Sequence, residues 1–192
     1  MTIYGWLIFL LWLTLVAYWV LSAHAVKRSL GSRWLWWREI AIRLGLFAVV
    51  VLAVRIAGAA HALPQARLNA INTSALMGLI GFVLAALGIA LAILARAYLG
   101  RNWGMPMSRK ENRELVMSGP YALVRHPIYG GMLLAMLGSA LAQSVFWVLP
   151  LVVYGPYFIL SARQEERHLV QEFGDDYRAY MRRTKLLLPY VL

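Results

Sequence analysis

Apolar positions fall into four long blocks, separated by stretches that are polar, basic or rich in glycine and proline. Ile3 to Ser22 carries no charge and has the roughly 20 residues a helix needs to cross a bilayer. His24 to Glu39 is basic, with Trp34, Trp36 and Trp37 interleaved, and reads as an interfacial loop or short surface helix. Ile40 to Ala57 is the second span. Its Arg43 and Arg55 lie near opposite ends, where long side chains reach the interface as anchors. Gly58 to Ser74 is a polar connection whose Asn72-Thr73-Ser74 offers N-cap candidates for the third span, Ala75 to Leu99. In that span Gly78, Gly81 and Gly88 are spaced for close helix approach. Gly100 to Pro127 holds Gly104, Pro106, Gly119, Pro120 and Pro127, which predicts a folded loop and not a continuous helix. Ile128 to Ala162 is then apolar for 35 residues, too long for one untilted crossing; a break near Ala142-Gln143-Ser144 makes it a tight helical hairpin. From Arg163 onward charge alternates with anchors, and Glu166, Leu169, Phe173, Tyr177 and Tyr180 recur at the spacing of a buried helical stripe. Gly174 ends one helix and Asp175-Asp176 caps the next.

Composition changes what those blocks mean. Of 192 residues 61% are hydrophobic and 14% charged, with a mean hydropathy of +0.64, more apolar surface than a soluble domain of this size hides. The fold expected is therefore all-α and integral to the membrane, with five transmembrane helices, a cytoplasmic loop and C-terminal amphipathic helices. The first run has neither a basic approach nor a cleavage pattern and is expected to stay as a span. Residues 1–97 supply the first three spans and residues 98–192 the folded loop, the hairpin and the C-terminal helices, and the two are expected to make one structural unit.

The net charge of +11 follows topology, not nucleic acid. With five spans, 15 of the 19 Lys/Arg fall on one side, in the first loop, the third loop and the tail. Cations stay cytoplasmic, so the N-terminus is expected outside and the C-terminus inside. A single crossing by the 35-residue run would divide these cations between two sides. Cysteine is absent, which excludes disulfides, thiolate metal sites and a cysteine nucleophile. His24, His61 and His168 have no partner at metal-binding spacing, and no metal is expected.

The densest chemistry lies in Gly119 to Gly131, where two prolines and three glycines surround Arg125 and His126. Under the five-span topology this stretch and Glu165-Glu166 meet at one cytoplasmic face. Arg125 is a permanent cation, His126 changes charge near pH 7, and the glutamates accept from hydroxyls or an ammonium. Pro127 suits the first position of a helix, whose free N–H groups favour an anionic ligand group. On chemistry alone two readings stand. One is a pocket for a polar zwitterionic cofactor; the other is a set of interfacial anchors, with Glu165-Glu166 neutralising Arg163 and Arg167.

The joint pattern Gly119-Pro120-Tyr121, Arg125-His126-Pro127, Tyr129, Gly131, Glu165-Glu166, Leu169, Phe173-Gly174, Tyr177 and Tyr180 resembles the isoprenylcysteine carboxyl methyltransferase family and its phospholipid-methylating relatives. Leu99 to Trp103 and Leu115-Val116 extend the likeness, which covers about residues 98 to 190. The resemblance implies an S-adenosylmethionine pocket built from Gly119, Pro120, Tyr121, Arg125, His126, Pro127, Tyr129, Gly131, Glu165 and Glu166. It also implies a lipophilic or prenylated substrate that enters from the membrane. Family members acting on isoprenylcysteine carry Arg four residues before the glutamate pair, where this chain has Ser161 and offers Arg163 instead. They often have His where this chain has Arg113. Arg163 and Glu166 are accordingly expected to serve the reaction. A prenylated cysteine carboxylate is the first acceptor, with a phospholipid amine or small thiol behind it. A nicotinamide-dependent membrane reductase of the sterol type and a non-enzymatic membrane protein are the alternatives.

Overall fold

Two helices meet backbone to backbone at the centre of the computed structural model, which describes residues 3–22, 33–59, 74–103, 114–143 and 145–187. They are α3 (Ala75–Leu99) and α4 (Pro127–Ala142), the third and fourth of six α-helices among the described residues. Small residues line both sides of the seam: Gly81, Ala85, Gly88 and Ala92 on α3, and Gly131, Ala135, Gly138 and Ala142 on α4. A Cβ added to Gly88 would lie 2.5 Å from the Ala135 nitrogen, and one added to Gly138 would lie 2.4 Å from the Ala85 nitrogen. Side chains are thus excluded from this contact. Where apolar helices have lipid for an alternative partner, such close approach supplies the packing that holds them together.

The first helix, α1 (Ile3–Ser22), lies across this pair. Leu15 packs with Ile89, Ala92 and Ala135, while Ile8 packs with Ala85 and Ala142. Trp12 donates from its indole nitrogen to the Ser139 hydroxyl at 3.1 Å, and Gly78 is covered by the ring of Tyr4. Of the three glycines expected to allow close approach, Gly81 and Gly88 therefore face α4, and Gly78 faces α1. The outward side of α1 leaves Trp6, Phe9, Leu13 and Val20 exposed.

α2 (Arg33–Ala59) begins earlier than expected, because the tryptophan-bearing segment before Ile40 is already helical and Arg38 lies over the Trp34 ring at 5.5 Å. It packs on α5 (Val148–Phe173), and Tyr154 donates to the Arg43 carbonyl at 3.3 Å. The hairpin turns where its polar residues indicated: α4 stops at Ala142, Gln143 bonds back to Ser139, and a 3-10 turn over Val145–Trp147 leads into α5. Gly174, at φ +57°, separates α5 from α6 (Asp175–Arg183). Asp175 and Asp176 lie in the first turn of α6 and not at its cap, and Asp175 pairs with Arg178 at 2.8 Å.

Ser74 occupies the N-cap of α3 without a side-chain bond. Asn72 and Thr73, with His24, His61, Gly104, Pro106, Arg113 and Ser144, lie outside the described residues. Among the described residues two helical stretches are long and apolar enough to cross a membrane, Ile3–Ser22 and Ala75–Asn102; Ile40–Ala53 and Pro127–Ala142 are apolar but shorter.

Candidate active site

The loop entering α4 is tied down by the end of the chain. Arg125 and His126 donate their backbone N–H groups to the carbonyls of Lys185 and Leu186 at 2.8 and 3.0 Å, a short parallel bridge that fixes where both side chains start. Upstream, Gly119 to Ala122 form a 3-10 turn with Pro120 near its start. Gly119 has φ +60°, and a Cβ there would lie 2.4 Å from the Tyr98 ring, so glycine is required on both counts. Tyr180 locks the turn by donating to the Tyr121 carbonyl at 2.6 Å. Pro127 then opens α4, where a missing N–H costs nothing.

Two adjacent glutamates on α5 point in different directions, as residues one step apart on a helix must. Glu166 is buried and accepts from the Arg125 Nε; the Arg125 Nη1 donates to the carbonyls of Met181, at 3.2 Å, and Thr184. Burial alone would raise the Glu166 pKa, but His126 and Arg125 beside it outweigh that and hold it below the usual carboxylate value. Glu165 faces the other way, towards a cavity, with its Oε2 3.9 Å from His126 Nδ1. The imidazole of His126 stacks on Tyr129 (centroids 5.6 Å apart), and Tyr129 stacks on Phe158 (4.9 Å). The ring is fixed, yet its Nε2 is buried without a hydrogen-bond partner, 3.7 Å from Glu166 Oε1.

These groups border a cavity of about 370 Å³. Its polar lining includes Tyr121, Arg125, His126, Glu114 and Glu165, and its apolar lining includes Trp19, Met132 and Phe158. Tyr177 and Tyr180 also line it. Burial, with Glu166 close by, raises both phenols, that of Tyr180 to about 12, so they remain neutral donors through the physiological range.

Of the residues singled out in the sequence, Tyr121, Arg125, His126, Tyr129 and Glu165 come together around this cavity. Glu166 stands behind it as the partner of Arg125. Pro120 and Pro127 are buried shapers of the backbone, and Gly131 belongs to the α3–α4 seam. Gly119 shapes its turn, and Arg163 is exposed on α5, outside the cavity lining. Ser161 is buried.

Sequence reasoning missed Trp19, Glu114, Tyr154, Tyr157 and Phe158 as wall residues, and it took Arg43 for an anchor, whereas Arg43 lines the cavity. One signal was present: Tyr154, Phe158, Glu165 and Leu169 follow the helical period along a single face of α5.

Buried Arg96 was also passed over. Its guanidinium donates to the Gly100 and Ser22 carbonyls at 2.9 and 2.8 Å and lies 4.6 Å from the Trp103 ring centroid. It thereby ties α1 to the end of α3 beside the cavity wall.

The family model described as phospholipid methyltransferase matches residues 76–176, the interval that carries the seam, the Arg125-His126 loop and the glutamate pair. Among curated relatives, protein-S-isoprenylcysteine O-methyltransferase of Schizosaccharomyces pombe is 32% identical over 109 residues, 55% of this chain and 46% of that protein. Cobalt-zinc-cadmium resistance protein CzcN of Cupriavidus metallidurans is 36% identical over 109 residues, 54% of this chain and 46% of that protein. Methanethiol S-methyltransferase 1 of Bradyrhizobium diazoefficiens is 34% identical over 79 residues, 36% of this chain and 24% of that protein. The chain thus spans less than half the length of each of these relatives.

Proposed function

The chain belongs to the phospholipid methyltransferase family, and from that premise we propose that it is an S-adenosylmethionine-dependent methyltransferase of the membrane, acting on a lipophilic acceptor. The observation that carries this reading is the mixed lining of the cavity, in which Tyr121, Arg125, His126 and Glu165 stand with Trp19, Met132 and Phe158. The residues suit such a donor. Glu165 accepts from hydroxyls or an ammonium, and the aromatic faces suit a sulfonium cation.

The donor supplies a methyl group on a sulfonium, already activated for displacement. What remains for the protein is alignment and exclusion of water. His126, held by the Lys185–Leu186 segment and by Tyr129, orients the polar end. Glu166 acts at one remove by fixing Arg125. Tyr129 and Phe158 keep water from the centre of the cavity. A carboxylate acceptor attacks without prior deprotonation, whereas a thiol or amine must first lose a proton.

We place the site on the cytoplasmic face of a five-span protein with its N-terminus outside, since 15 of 19 Lys/Arg then share that side. Residues 1–97 contribute Trp19 and Arg43 to the wall, which supports one structural unit formed with residues 98–192. Among acceptors a prenylated cysteine carboxylate comes first and a small thiol second. The test is transfer of a radiolabelled methyl group by purified protein in lipid nanodiscs to N-acetyl-S-farnesylcysteine, hexanethiol and phosphatidylethanolamine. Label entering one of the three identifies the acceptor class. No label in any of them, with the donor present in excess, contradicts the reading.

A further inference from the structure

Tyr177 and Tyr180 stand three residues apart on α6, so they share one side of the helix, and both line the cavity. Their rings meet edge to face with centroids 5.7 Å apart, in a cluster with Leu169. Their hydroxyls differ. That of Tyr180 is committed to the protein and donates to the Tyr121 carbonyl at 2.6 Å. That of Tyr177 makes no hydrogen bond among the described residues, although Tyr177 is among the most completely buried large side chains, at 1% exposure. Unlike the Nε2 of His126, which is sealed off without a partner, the Tyr177 oxygen keeps contact with open space. The open space that Tyr177 borders is the cavity. A buried hydroxyl without a partner is a cost to the fold that is recovered when a ligand supplies the missing bond.

The surroundings of this hydroxyl select the ligand group. Burial, with Glu166 and Glu165 close by, keeps the Tyr177 phenol protonated, and Glu165 lines the same cavity. A carboxylate that only accepts therefore stands near a phenol that has a proton to donate. A carboxylate has about four acceptor positions, so contacts that Glu165 already makes, such as that with His126, leave room for a ligand. A ligand hydroxyl satisfies both groups, accepting from Tyr177 and donating to Glu165. An ammonium donates to Glu165 but leaves the phenol proton without an acceptor, and a ligand carboxylate accepts from the phenol but meets Glu165 as a like charge.

We propose that Tyr177 is a binding residue for the methyl donor, its hydroxyl and the Glu165 carboxylate together receiving the ribose diol. The identity of the ligand rests on the methyltransferase reading, and the preference for a hydroxyl group rests on the cavity.

The test is calorimetric binding with the protein in nanodiscs. The ligands are S-adenosylhomocysteine, its 2′-deoxy and 3′-deoxy forms, and 5′-methylthioadenosine, which keeps the ribose but lacks the amino-acid end. Tyr177→Phe keeps the ring and removes only the hydroxyl. It is expected to weaken S-adenosylhomocysteine and 5′-methylthioadenosine about fivefold each, as one neutral hydrogen bond implies. Wild type is expected to bind one of the deoxy forms about tenfold more weakly than the parent, and Tyr177→Phe to narrow that difference, because it weakens the parent and leaves the deoxy form unchanged. Without ligand the variant is expected to melt no lower than wild type, since no bond within the protein is lost. Tyr180→Phe, which breaks the bond to the Tyr121 carbonyl, is expected to melt lower.

Unchanged affinities in Tyr177→Phe, with or without a lower melting temperature, overturn the proposal. Weakening confined to S-adenosylhomocysteine, with 5′-methylthioadenosine bound as in wild type, places the hydroxyl at the amino-acid end and overturns it equally. Wild type that binds 5′-methylthioadenosine but not S-adenosylhomocysteine counts against the methyltransferase reading alone, and the Tyr177→Phe comparison on the nucleoside still decides the role of the hydroxyl. Wild type that binds neither overturns both.

Discussion

Replacing Glu166 with alanine is expected to lower stability by about 3–5 kcal/mol and to weaken S-adenosylhomocysteine binding at least about tenfold, although Glu166 does not line the cavity. Removing one partner of a buried pair leaves the other charge uncompensated, and the Glu166 and Arg125 side chains are each only 10% exposed. Arg125 also ties the Met181 and Thr184 carbonyls to the loop that carries His126, so its displacement loosens the polar end of the site. Thermal unfolding in detergent and calorimetric titration read the two effects separately. Glu165→Gln supplies the contrast, because Glu165 faces the cavity: it should weaken binding while shifting the melting temperature little.

The pH dependence has a definite sign. Glu166 titrates below its ordinary value of 4.5, so its contribution to stability is fully present above that value and is lost as pH falls through the lowered one. Glu166→Gln should therefore flatten the acid side of the stability profile. An unchanged acid limb would mean that the Arg125–Glu166 pair does not carry this stability.

Gly88→Leu is expected to disrupt folding at the helical seam. A Cβ at this position would lie 2.5 Å from the Ala135 nitrogen and 2.5 Å from the Gly131 carbonyl oxygen, both backbone atoms that move only if α4 moves. The cost is at least the roughly 3 kcal/mol at the upper end of overpacked cores. A melting temperature about 6 °C lower, or loss of folded protein from the membrane, is the expected result. Gly45→Leu on α2 is the control, since nothing lies within 4 Å of a Cβ there. Equal tolerance of both changes would contradict the close approach of α3 and α4.

Backbone punctuation made much of this fold legible in the sequence. Pro127 marked the start of α4, the polar Gln143 marked the hairpin turn, and Gly174 marked the break before α6, because each breaks helical geometry or the apolar pattern locally. Four members of the terminal stripe, Glu166, Leu169, Tyr177 and Tyr180, are buried as their spacing implied.

The less legible features depend on partners distant in the chain. Arg43 near the end of an apolar run has the same local pattern whether it snorkels or lines a cavity, and only the docking of α2 on α5 distinguishes the two. Glu165 and Glu166 are indistinguishable as a pair in sequence, yet the Lys185–Leu186 segment places Arg125 beside one and leaves the cavity to the other. The stripe of small residues along α3 and α4 was only half visible, since alanines in an apolar helix do not stand out until a partner helix meets them.

The most direct test of the central claim is calorimetric titration of the purified wild-type protein with S-adenosylhomocysteine, repeated with NADPH and with His126→Ala. Saturable binding of S-adenosylhomocysteine is expected, with none of NADPH and at least about tenfold weaker binding by the folded His126→Ala variant. No heat of binding in wild type, or equal affinity in wild type and variant, would contradict the assignment of the His126–Glu165 cavity as the methyl-donor site.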